Sequence, residues 1–186
     1  MGKVMAGMTI SLDGFMDADK VNPDFSELLE APSFKEMIKD TGAVIMGNNT
    51  YNMADPLQWV NDDYEFQVPL FILTHNIPEK KPQGNDKLTV TFVTDGIESA
   101  ISQAKKAAGD KMVQIIGGAS TIQQALNSGL CDELGIDIMP VLLGKGLKLF
   151  ENIDTDKIEL ERTSVTETTA MRTSIMFKVT KKNLGV

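Results

Sequence analysis

The residues best placed to do chemistry are two glycines, Gly117 and Gly118, at the end of the apolar run Val113-Gln114-Ile115-Ile116. They stand where a buried strand turns into a helix that opens with Ala119-Ser120-Thr121. A helix N-terminus offers unpaired N–H groups and partial positive charge, both suited to a pyrophosphate. Glycine lets the backbone approach such a ligand without a Cβ in the way. The hydroxyls of Ser120 and Thr121 add donors. The same residues also suffice for an ordinary strand-to-helix turn with Ser120 or Thr121 as N-cap. Their spacing is not G-x-G-x-x-G, which excludes the standard Rossmann fingerprint. Gly144-Lys145-Gly146 likewise lacks the spacing and the trailing Lys-Ser/Thr of a P-loop. With one His and one Cys, no metal-ligand pattern exists. Cys131 has no His or Asn pattern to make it a nucleophile and reads as structural.

Composition sets the scaffold that must position these residues. At 186 residues the chain fits one domain, 1–186, long enough to bury a core. A hydrophobic fraction of 42% and a charged fraction of 24% exclude disordered and fibrous classes. No window approaches eighteen consecutive apolar residues, so no membrane span or membrane partner is expected. Residues 1–14 turn polar at Thr9 and Ser11 and read as a first strand rather than a signal peptide. Met1-Gly2 begins like a myristoylation signal, but Thr9 and Ser11 lie outside its short pattern. Lys+Arg 18 against Asp+Glu 26 gives a net charge of −8, which disfavours nucleic acid as a partner. A single cysteine excludes intrachain disulfides and suits a reducing, cytoplasmic setting.

No internal repeat or low-complexity segment is visible. Residues 4–10 form the first strand, ended by the Asp13-Gly14 turn signal. Phe34, Met37 and Ile38 have helical spacing before the short apolar run 43–46, which stops at Gly47. Runs at 70–73 and 88–94 read as further strands, the latter alternating through Leu88, Val90 and Phe92. Ile97, Ala100, Ile101, Ala104, Ala107 and Ala108 make an amphipathic helical stripe that ends at Gly109. After the strand at 112–116 comes a helix carrying Ile122, Ala125, Leu126 and Leu130. Leu134, Ile136 and Ile138 then alternate before Pro140. Residues 158–168 and 171–180 read as an antiparallel hairpin. The result is an α/β chain with a mixed, mostly parallel sheet and helices on both faces. The irregular stretch 55–69, with Trp59, forms either the rim of a ligand site or a variable insertion. Trp59 itself either borders the substrate or caps the core. The eleven methionines line an adaptable pocket or fill the core, the second use expected for most of them.

Residues 115–150 resemble the dihydrofolate reductase-like family, and within it the reductase domain of bacterial riboflavin biosynthesis. The shared pattern is a Gly-Gly helix, then Leu130-Cys131-Asp132-Glu133-Leu134, then Pro140-Val141-Leu142-Leu143-Gly144-Lys145-Gly146 and Leu149-Phe150. Upstream, Ser11-Leu12-Asp13-Gly14-Phe15 resembles the family's first-strand motif. Val44-Ile45-Met46-Gly47-Asn48-Asn49-Thr50-Tyr51 resembles its Gly-Arg-x-Thr-Tyr segment, and residues 71–75 its third cofactor-contacting strand. The resemblance covers nearly the whole chain in family order. It implies a three-layer fold with NADPH across the strand ends and a cis peptide between Gly117 and Gly118. Gly47, Asn48, Asn49 and Thr50 would cradle one side of the pyrophosphate. Ile116, Gly117, Gly118, Ala119, Ser120 and Thr121 would hold the other, with Thr74 and His75 near the adenine ribose.

The chain departs from this pattern in three places. Asn48 stands where the family has Arg, and an amide suits a phosphate dianion less well than a guanidinium. Thr74-His75 replaces the usual Ser or Thr followed by Arg. Either His75 or the Lys80-Lys81 pair would then meet a 2′-phosphate, or all three are simply exposed, so NADH stays open beside NADPH. The family's proton-donating acid is also missing from its place near Ala31. Glu30, beside Glu27, or Asp13 would replace it, against readings as a solvated face and as a turn-forming Asp-Gly. Tyr51 or water are further proton sources. Thr9, Ser11, Asp13 and Tyr51 form the expected substrate contacts. The function implied is NAD(P)H-dependent reduction of a pterin-like or aminopyrimidine-like small molecule. A riboflavin-pathway substrate carries a ribose phosphate and calls for basic residues in its pocket. No zinc signature of a deaminase is present, so a bifunctional enzyme is not expected. The alternative is a non-catalytic nucleotide- or small-molecule-binding module with the same fold. A homodimer built on the apolar edge after Pro140 fits both.

Overall fold

Short apolar runs rich in Val, Ile and Met build the centre of the molecule, as expected for strands buried on both faces. The computed structural model describes residues 2–53, 55 and 59–182. In chain order the strands are β1 (Val4–Ser11), β2 (Phe15–Met16), β3 (Thr41–Gly47), β4 (Leu70–Leu73) and β5 (Val90–Val93). They continue with β6 (Met112–Ile115), β7 (Glu133–Met139), β8 (Leu147–Lys148), β9 (Ile158–Glu167) and β10 (Thr173–Lys181). The helices are α1 (Ala18–Val21), α2 (Phe25–Glu30), α3 (Pro32–Asp40), α4 (Asn48–Tyr51), α5 (Ile97–Ala108) and α6 (Ala119–Ser128).

Eight strands form one sheet in the order β5-β4-β3-β6-β1-β7-β10-β9. Every pairing from β5 to β7 is parallel, and β10 joins antiparallel to both β7 and β9. The mixed sheet and closing hairpin are therefore as the sequence patterns imply, and the strand order fits the three-layer arrangement that the family resemblance implies. β2 and β8 pair separately, which ties the end of β1 to the 140s segment. No described helix is long and apolar enough to cross a membrane.

The period of two decides what each strand does. On β3, Ala43 and Ile45 join the main core under α5 and α6, while Val44 and Met46 join a second cluster on the opposite face. That cluster gathers Tyr51, Phe66, Leu70 and Leu88, with Met37 and Ile38 of α3 packed against it. Each fully buried side chain such as Ile115 or Ile122 stabilises the fold by roughly 1.5–3 kcal/mol. Leu88, read from sequence as strand, lies before β5, because its N–H is taken by Asn85 Oδ1 at 2.7 Å in a turn. Leu130 falls beyond the end of α6 and is half-exposed. Trp59 donates its indole N–H to Tyr51 O at 2.7 Å and packs edge-on against Tyr64, so it caps the second cluster while its other side lines the cleft beside it. Within the irregular stretch 55–69, residues 56–58 lie outside the described ones, as does Met1.

Candidate functional site

β3 and β6 are parallel neighbours with Ile45 opposite Ile115, so their C-terminal ends reach the same edge of the sheet. Ligands of open α/β sheets sit at such an edge. There the two glycine segments meet: Gly47 N donates to Gly117 O at 2.8 Å. The Gly117–Gly118 peptide is cis, and Gly117 has φ 129°. A Cβ on Gly47 would come within 2.5 Å of Thr121 Oγ1, and one on Gly117 within 2.9 Å of Met8 Cε. Thr50 Oγ1 lies 3.3 and 3.2 Å from the Cβ positions of Gly117 and Gly118. The two segments touch backbone to backbone at Gly47 and Gly117; a side chain at Gly47 has no space, and Gly117 holds a left-handed φ that disfavours one. The N-cap of α6 is Gly118 itself, not Ser120 or Thr121, and no side-chain oxygen caps it. Gly118 O already accepts from Thr121 N and Ile122 N, which starts the helix two or three residues earlier than a Ser120 or Thr121 cap would.

The cradle opens onto a cleft of about 1880 Å³. Gly47, Asn48, Asn49, Thr50, Thr74, His75, Ile116, Gly118, Ala119, Ser120 and Thr121 line one end of it. Thr74 is buried, its hydroxyl bridging to Asn76, while His75 is exposed. From there the cleft runs between the open sheet face and the side chains of Phe25, Leu28, Phe34 and Met37 on α2 and α3.

At its other end stands an ionic network. Arg172, in the hairpin connection between β9 and β10, has a side chain with no exposed surface. Its guanidinium forks onto Asp24, with NH2 to Oδ1 at 2.6 Å and Nε to Oδ2 at 3.3 Å. NH1 donates to Thr9 Oγ1 at 2.7 Å and to Asp137 Oδ2 at 3.0 Å, and NH2 also reaches Asn22 Oδ1. Thr169 and Ser174 donate to Asp24 and Asp137, both at 2.5 Å. Burial pushes the Asp24 carboxyl up, but the hydrogen bonds and charge of Arg172 and Thr169 outweigh it, and Asp24 lies below the ordinary carboxylate value. Burial alone would lower Arg172; its two carboxylate partners raise it instead.

Sequence comparison places the chain. Residues 2–172 match the profile of the RibD C-terminal domain. The chain belongs to the RibD C-terminal domain family. YyaP of Bacillus subtilis (strain 168) is 25% identical over 154 residues, covering 81% of each protein. A riboflavin-biosynthesis-type protein of Shewanella sp. PV-4 superposes with a TM-score of 0.71 at 24% identity, over 97% of this chain and 99% of that one. The riboflavin biosynthesis reductase of Saccharomyces cerevisiae superposes with a TM-score of 0.62 at 16% identity, over 96% and 90%.

Within this RibD C-terminal domain, four expected site residues stand elsewhere. Asp13 is exposed and does not line the cleft; its carboxylate accepts from Ser11 Oγ at 2.6 Å, Gly144 N at 2.7 Å and Leu143 N at 3.1 Å. Those bonds, that from Ser11 foremost, hold it down at about 2, so it anchors the 140s segment as an ionised acceptor. Ser11 is fully buried, bonded to Asp13 and Phe15 N. Glu30 is exposed on α2, paired with Lys35 at 2.6 Å. Tyr51 is buried against Phe92 in the second cluster, and burial, then the Asp55 charge, raises its phenol. Thr9 does line the cleft. Sequence reading missed Arg172, Asp24, Asn22 and Asp137. Only Asp137 left a signal, as the polar alternate of Ile136 and Ile138.

Proposed function

We propose that this chain is a cytoplasmic NAD(P)H-dependent reductase acting on a small pterin-like or aminopyrimidine-like heterocycle. The observation that carries this reading is the glycine cradle, in which a Cβ on Gly47 would collide with Thr121 Oγ1 while Gly117, at φ 129°, and Gly118 lie close under Thr50 Oγ1. Ala119, Ser120 and Thr121 would hold one side of a pyrophosphate, and Asn48, Asn49 and Thr50 the other, with Thr74 and His75 at the ribose. When bound, the cofactor supplies the hydride. The protein's part is to orient the two rings and exclude water, for which Met8 and Ile116 line the adjoining wall. Asn48 brings no charge to the phosphates, so preference for NADPH over NADH is expected to stay below about tenfold.

Titrating NADPH and NADH while following nicotinamide fluorescence tests the proposal. Saturable binding with oxidation of the cofactor by a folate, pterin or aminopyrimidine is the expected result. No saturable binding of either dinucleotide overturns it. The second reading, a binding module without chemistry, draws on Asp13 and Glu30 both standing outside the cleft. Binding without oxidation across those compounds would select it. We also propose a homodimer through the exposed apolar edge of Leu142, Leu147 and Phe150, for which light scattering gives the mass.

A further inference from the structure

The far end of the cleft has a charge and hydrogen-bonding pattern that selects among substrates. Thr9, Asp137, Ser174 and Thr166 stand directly opposite one another across β1, β7, β10 and β9. All four line the cleft as one row. Arg172 lies behind that row, and a guanidinium has five N–H donors. One goes to Asp24 from Nε, two from NH1 reach Thr9 and Asp137, and two from NH2 reach Asn22 and Asp24. Every donor is engaged inside the protein. Two carboxylates flank one guanidinium, so the cluster carries one surplus negative charge. Asp24 keeps 4% of its side-chain surface and Asp137 27%, so the surplus opens into the cleft at Asp137. Each Asp137 oxygen accepts one internal bond, from Ser174 or Arg172, and keeps a second acceptor position. The other described basic side chains on the cleft wall stand apart: Lys3 is paired with Glu133, Lys111 donates to Lys39 O, and His75 lies at the proposed dinucleotide end.

We infer that this end takes an unphosphorylated ring that presents N–H donors to Asp137, and that it rejects phosphorylated counterparts. The inference rests on the reductase reading for its place in the reaction, but the pocket's preference stands on its own residues. Arg172 acts here as a positioning residue, since it fixes Asp137 and touches no ligand. A phosphate would meet the surplus negative charge at Asp137 with no unpaired described cation beside it, because every Arg172 donor is engaged and only neutral hydroxyl and amide groups face it.

The test is calorimetry on the full chain, with and without saturating NADPH. Its probes are neopterin against neopterin phosphate, and 2,4-diaminopteridine against 1,3-dimethyllumazine, which carries carbonyls in place of the two amino groups and has no N–H. Neopterin is expected to bind tenfold or more tightly than its phosphate. In Asp137→Asn, 2,4-diaminopteridine is expected to weaken tenfold or more while 1,3-dimethyllumazine stays within twofold. Equal or tighter binding of neopterin phosphate by the wild type overturns the inference without any variant, as does binding of neither form. Equal weakening of both pteridines in Asp137→Asn overturns it too. Pteridine preference with no dinucleotide binding removes the reductase reading and leaves this one standing.

Discussion

Replacing Arg172 by Met is the sharpest test of how this structure is held together. Met fills much of the volume but leaves Asp24, with 4% of its side chain exposed, facing Asp137 with no cation between them. Removing one partner of a buried pair costs about 3–5 kcal/mol, because the remaining charge is uncompensated. For a chain of this length each kcal/mol lowers Tm by about 2–4 °C, so a fall of roughly 6–20 °C is expected. The pH dependence gives the effect its sign. In the wild type Asp24 lies below its unfolded value of about 3.9, so its contribution is complete above that pH and is lost as pH falls through the folded value. Without Arg172 burial dominates and lifts Asp24 above about 3.9, so the variant regains relative stability as pH drops from 7 toward 4. The gap between the two proteins is therefore widest near neutrality. Urea unfolding followed by circular dichroism at pH 7 and 4.5 measures both. A loss under about 1 kcal/mol at pH 7, or a gap that widens on acidification, refutes the reasoning.

Gly47→Ala puts a methyl 2.5 Å from Thr121 Oγ1 and is expected to destabilise by about 1–3 kcal/mol. The same change should weaken NADPH about tenfold, and unchanged affinity by nicotinamide fluorescence counts against the cradle. Asp13→Ala frees the amides of Leu143 and Gly144, so their hydrogen exchange is expected to quicken about tenfold or more. Because Asp13 is already ionised above about 2, the pH profile of kcat between 5 and 9 keeps its shape; a moved limb would return Asp13 to the chemistry. Burial pushes the Cys131 thiol up to about 12, so an aromatic disulfide reagent at pH 7.5 should label it more than about a thousandfold slower than an exposed thiol. Rapid labelling of the folded protein would show that it opens locally.

Local pattern sufficed wherever neighbours in sequence share one environment. The stripe from Ile97 to Ala108 and the apolar runs at β3, β4 and β6 are such cases, since burial there follows period alone. The glycine pair needed more, because a strand-to-helix turn and a ligand cradle have the same residues until Gly47 is seen against Thr121. Asp13 and Glu30 were misplaced for a related reason. An Asp-Gly turn gives no sign that Leu143 and Gly144 will fold back onto its carboxylate, 130 residues on. Arg172 is the extreme case. A cation in a hairpin connection reads as solvated, and only Asp24, 148 residues away, makes its burial tolerable.

Asp137 lies between these extremes and shows how one strand serves two ends. Leu134 and Ile136 of β7 are buried in the main core with Ile138 packed beside them, so the intervening positions must face the other way. Gly135 and Asp137 occupy those positions, and both line the cleft. A carboxylate in the middle of a sheet is costly unless paired. Arg172 supplies that pairing from behind, which leaves the front of the carboxylate open. The arrangement has a consequence for variation at position 137: Asp137→Leu would remove the cost of a buried charge yet strand the Arg172 and Ser174 donors. It should therefore destabilise by about 1–3 kcal/mol, despite raising the apolar content of the sheet, and a variant as stable as the wild type would show that those donors find other partners.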